Sequence, residues 1–136
     1  MATLPAAGQA FRPKLSVVSV RALPVAAQHG ASRAPLLTGS LNTVVATNAL
    51  AFRVVIHNDG EATEGQVHVV LQIARSAAQG GPTVHQMTVA KLPPHNTRAV
   101  TFQKLGAVPF ATKTTVVVSV PGANSKVYPV IFALPG

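Results

Sequence analysis

The chain has no cysteine, no tryptophan, one tyrosine and only three acidic residues among its 136. Without cysteine it can form no disulfide, no thiolate metal site and no cysteine nucleophile, and the redox compartment stays undetermined, although the absence is compatible with an exported bacterial protein. No apolar run approaches the roughly 18 to 20 residues that a membrane-spanning helix requires. The longest runs are strand-length and broken by Arg, His, Thr or Pro. The opening MATLPAAGQAFRPKL lacks the charged start and continuous apolar middle of a secretory signal, so an exported parent would make this chain a mature or excised part of something longer. Catalytic signatures are missing too: there is no Gly-x-Ser-x-Gly elbow, no phosphate-binding glycine loop and no metal-hydrolase motif. Enzymatic activity is therefore not expected, and no catalytic, cofactor-binding or metal-binding residue is assigned.

The scarce acids are also confined. Asp59, Glu61 and Glu64 share one short segment, against eleven Lys and Arg, for a net charge of +8. Such a field favours anionic partners: nucleic acid, lipid headgroups or cell-wall polymer. The basic residues Arg12, Lys14, Arg21, Arg33, Arg53, Arg75, Lys91, Arg98, Lys104, Lys113 and Lys126 are nevertheless spread singly, which reads as solubility charge and protection of sheet edges. The three acids cluster as calcium ligands would, but are too few for a tight site, and a solvated loop is the favoured reading. The five histidines, His29, His57, His68, His85 and His95, show no metal-ligand spacing, and they read as solvent-facing.

What is present is a β pattern. With 48% hydrophobic residues and 10% charged, the chain should fold, and its length suits one domain with a genuine core. Residues 1–13, with Pro5, Gly8 and Pro13, read as a linker or leader, leaving 14–136 as the domain. Leu15 to Leu23 is a strand stopped by Pro24; Ala26 to Asn48 is a long connection with room for a short extra strand around Asn42 to Ala46. In Ala49 to His57 the residues Phe52, Val54 and Ile56 share one face, and in Val67 to Ile73 so do Val67, Val69, Leu71 and Ile73. Val84 to Lys91 follows, with Met87 and Val89 inward. After a turn at Leu92 to Asn96 come Thr97 to Gln103, Thr114 to Val120 and Val127 to Leu134. Pro129 inside the last run points to an edge strand or a bulge. Phe52, Phe102 and Phe132 fall inward, leaving Phe11, Phe110 and Tyr128 as the aromatics open to nucleic-acid bases, and the last two suit core or seam packing. Helical periodicity could be forced only on Val25 to Ala34. About seven strands with turn signals at this spacing predict an all-β sandwich.

In order and spacing, PKLSVVSVRAL, ALAFRVVIHNDGEATEGQVHVVLQI, VAKLPPHNTRAVTFQ and TTVVVSVPGANSKVYPVIFAL resemble CARDB, the cell-adhesion-related domain of bacteria, over roughly Pro13 to Leu134. The closing segment is similar to periplasmic domains of actinobacterial membrane proteins. The resemblance implies an immunoglobulin-like or fibronectin-III-like antiparallel sandwich in an exported or membrane-anchored protein of the cell envelope. It places the strands 49–57 and 67–73 in opposite sheets, with Asn58 bonding the loop backbone and Gly60 at positive φ. Relatives carry Gly where this chain has His95 and Asn96, and an acidic residue with paired asparagines where only Asn124 and Ser125 remain. A family calcium site is therefore not carried over. The expected function is a non-enzymatic, extracytoplasmic structural, adhesion or protein-interaction module whose partner is another protein or a neighbouring domain of the same polypeptide. Two alternatives stand beside it: a weak polyanion-binding module, and a capsid or pilus subunit of the same fold.

Overall fold

A computed structural model describes residues 14–135 of the chain. Eight strands, β1 (Leu15–Leu23), β2 (Asn42–Val45), β3 (Ala51–Asn58), β4 (Glu64–Ile73), β5 (Thr83–Leu92), β6 (Thr97–Phe102), β7 (Lys113–Ser119) and β8 (Lys126–Ala133), form two sheets. One has three strands in the order β1-β3-β6, the other five in the order β2-β8-β7-β4-β5. The alternation in the sequence explains the layering: Phe52, Val54 and Ile56 from one sheet and Val67, Val69, Leu71, Ile73, Val130 and Phe132 from the other are buried in a single core. Phe52 and Phe132 meet edge to face across it, with ring centroids 6.3 Å apart. β3 and β4 do lie in opposite sheets, joined through residues 59–63.

Several expectations are corrected. The strands number eight rather than seven, because the extra strand at Asn42–Val45 is real and runs parallel to β8. β8 is consequently an interior strand over its second half. Pro129 is tolerated because the β2 ladder opens only at Val130, leaving β8 an edge up to the proline. β1 carries a bulge between Val17 and Ser19 that turns Val18 out to solvent. Gly60 does not take positive φ; it is small because an added Cβ would lie 3.2 Å from the Asn58 Oδ1. Positive φ falls instead on Gln66 within β4, and on His95 in the turn between β5 and β6. Residues 25–34 hold two 3-10 turns, Val25–Ala27 and Gly30–Arg33, and no longer helix. The linker expected at 1–13 lies outside the described residues.

Among the described residues two polar side chains, Gln28 and Asn58, are wholly buried. Asn58 donates from Nδ2 to the carbonyls of Ala62 and Leu92, at 2.8 and 2.9 Å, and its Oδ1 accepts the Gly60 N–H at 2.8 Å. It thus ties the β3–β4 loop to the end of β5. Gln28 pairs with Val45 as a strand would, donating to its carbonyl at 3.0 Å and accepting its N–H at 2.8 Å.

Candidate functional site

The acids and two of the histidines meet at one end of the molecule. His57 Nδ1 lies 2.9 Å from the Thr97 hydroxyl and its Nε2 lies 3.6 Å from Asp59. His95 Nε2 lies 3.1 Å from both oxygens of Glu61. These are exposed pairs, worth little individually in water. Among the described residues no three His, Asp or Glu side chains gather as ligands of one ion. His68, exposed on β4, lies 3.0 Å from the Thr88 hydroxyl, and His29 is exposed before the second 3-10 turn. His85 departs from the solvent-facing expectation. Register places it opposite buried Leu71, and its Nε2, like the Thr83 Oγ1, is buried without a hydrogen-bond partner.

The β5 edge is the feature that sequence reasoning undervalued. Its neighbour β4 pairs with it from Glu64↔Leu92 to Ile73↔Thr83 without a register shift. No proline or bulge interrupts its ten residues, and Lys91 is the only Lys, Arg, Asp or Glu in the strand. The other edges are blunted: β2 has four residues, β6 has six and carries Arg98, and β1 is bulged. Met87 faces inward as expected, yet is 39% exposed, because three strands cannot cover five and β5 overhangs. Val84, on the outer face, is 62% exposed.

The basic residues are not all isolated. Arg21 of β1 and Arg53 of β3 stand directly opposite one another on the outer face of the three-stranded sheet. Arg21 Nη1 donates to the Arg33 carbonyl at 3.1 Å, and Arg33 Nε to the Gln28 carbonyl at 2.9 Å. Sequence spacing concealed this cluster because strand pairing joins residues 32 positions apart. Among the aromatics, Phe102 and Tyr128 are buried as expected, whereas Phe110 bridges to Phe132 through its backbone and stays partly exposed. It lines a concavity with Ala46, Leu50, Leu105 and Val108, where Lys104 supplies the one charge. Burial raises the Tyr128 phenol above its ordinary range.

No family model and no curated protein matches the chain. Solved structures do share its fold. A Pseudomonas fluorescens alkylpurine DNA glycosylase bound to DNA containing an abasic site analogue matches 88% of this chain with 11% identity and a TM-score of 0.51. A β-glucosidase from Erythrobacter marinus matches 88% with 14% identity and a TM-score of 0.55. A Listeria innocua β-glucosidase in complex with gluconolactone matches 90% with 16% identity and a TM-score of 0.50. The match spans 31% of the glycosylase and 15% and 16% of the two glucosidases. At these identities the likeness shows the all-β fold alone.

Proposed function

We propose that this chain is a non-enzymatic, immunoglobulin-like module of the CARDB kind, working outside the cytoplasm as part of a larger exported or membrane-anchored bacterial protein. Its task is contact with another protein or a neighbouring domain. The observation that carries this reading is the open β5 edge, a ten-residue strand paired on one side only. Its alternate residues point their backbone groups away from β4, and it carries one Lys, Arg, Asp or Glu. An extended segment of a partner would add to it as a further strand: the backbone supplies the hydrogen bonds, and the Met87 overhang supplies apolar contact. The apolar core and the scarcity of acids support a scaffold that presents edges and loops rather than one that performs a reaction. Its placement in the cell envelope rests on the resemblance.

In isolation the available partner is a second copy. Antiparallel pairing about Met87 sets Lys91 opposite Thr83 of the partner subunit, so that like charges are kept apart. Sedimentation velocity from about 10 μM to about 1 mM, the range suited to an interface this small, should show reversible dimerisation. Met87→Lys would place two like charges across the two-fold axis and should abolish it while leaving the fold intact. A wild-type chain that stays strictly monomeric throughout, or a variant that associates equally well, contradicts the reading.

A further inference from the structure

We propose that Arg21 and Arg53 form a phosphate-recognition site for a phosphodiester polymer on the outer face of the three-stranded sheet. The site is independent of the β5 edge. Opposed residues of an antiparallel pair hold their Cβ atoms about 4.5–5.5 Å apart, and like charges so placed destabilise a sheet. Among the described residues no carboxylate pairs with either arginine: Asp59 faces His57, Glu61 faces His95, and Glu64 opens β4 in the other sheet. The acidic loop begins six residues beyond Arg53, about 20 Å along an extended strand, well outside the roughly 8 Å screening length at physiological salt. The Arg33 carbonyl anchors the Arg21 guanidinium from one side. An oxyanion set between Arg21 and Arg53 would turn a like-charge repulsion into two charge-assisted contacts, and guanidinium geometry suits phosphate oxygens.

The surroundings narrow the ligand. The rows on either side, Ser19–Val55–Ala99 and Leu23–Ala51, are small or aliphatic, Thr101 completes the arginine row, and none of the three contains an aromatic side chain. Among the described residues this face offers bases no aromatic ring to stack on, so recognition there rests on the backbone phosphates and is independent of sequence. An exposed face holds one free phosphate poorly, whereas a polymer adds repeated contacts and the attraction of the +8 field.

Fluorescence anisotropy of the full chain with labelled single-stranded DNA of about 20 nucleotides at low salt tests this. The double variant Arg21→Gln/Arg53→Gln should lose affinity about tenfold or more and flatten the salt slope by about 1.4, whereas Lys104→Gln/Lys126→Gln, with the same loss of charge, should lose less than about threefold. Oligonucleotides of different base composition should bind alike. A poly(glycerol phosphate) arm separates the sources: equal arginine dependence assigns phosphodiesters in general, and dependence with DNA alone assigns nucleic acid. Thermal melts should show the arginine variant at least as stable as wild type. If it melts early, Arg53→Lys, which keeps the charge and loses the fork, should still weaken binding about threefold. No binding by wild type, equal losses in the two double variants, or a strong base preference overturns the proposal.

Discussion

Asn58 and Gln28 are the two polar side chains sealed within the described core, and each replaces backbone pairing that the chain cannot supply locally. Asn58→Ala leaves the Gly60 N–H and the Ala62 and Leu92 carbonyls without their side-chain partner, and should cost about 2–3 kcal/mol in urea unfolding. A loss below about 0.5 kcal/mol would show that water replaces the side chain freely. The bonding of Asn58 to its loop backbone was expected from the resemblance, and a short amide side chain opening a polar loop has that backbone at hand. Gln28 was not legible in the sequence, because its partner Val45 is 17 residues away and nothing periodic surrounds it. Tyr128 supplies a pH prediction. Its phenol is raised from 10.0 because burial disfavours the phenolate. The folded value therefore exceeds the unfolded one, and the stability linked to it is full below pH 10.0 and is lost as pH rises through the folded value. As the only tyrosine in a chain without tryptophan, it can be followed by tyrosinate absorbance. The folded chain should titrate later than the urea-unfolded chain, and Tyr128→Phe should weaken the alkaline loss of stability.

At the scale of the element, alternation revealed which residues face inward but not how strands are paired. The strands from β3 onward were legible within a few residues, since one buried face imposes a period of two. The bulge in β1 breaks that period, bringing Val17 and Val20 to the same inner face although they are three residues apart. β2 was readable only as a short apolar stretch, because its stability comes from a distant partner. Asn42 secures it by accepting the Leu37 N–H at 2.8 Å and donating to the Pro129 carbonyl at 2.9 Å. Asn42→Ala should release β2 locally. Hydrogen exchange would then show its amides losing about tenfold or more in protection, while the centres of β3 and β4 stay near wild type. Uniform loss across both sheets would mean that β2 unfolds only with the whole molecule.

The whole molecule is an asymmetric pair of layers, three strands against five, and this asymmetry exposes the inner side of β5 at Met87. It could not be read from the sequence, where Met87 and Val89 look equally inward: sheet width depends on which strands pair, and pairing is not local. Charge is partitioned on the same scale. Acids and their histidines occupy one end, the arginine pair stands on the narrow sheet, and most of β5 is uncharged. Contact through an edge and contact through a charged face can therefore operate without interfering, and added salt should weaken polyanion binding while leaving strand pairing largely unaffected.

Amide hydrogen exchange of β5, measured residue by residue at increasing protein concentration, most directly probes whether the protein works through its open edge. Pairing predicts that alternate β5 amides, those pointing away from β4, become progressively protected as concentration rises, and that Met87→Lys abolishes the effect. Exchange at these amides that stays fast and independent of concentration up to about 1 mM would contradict it.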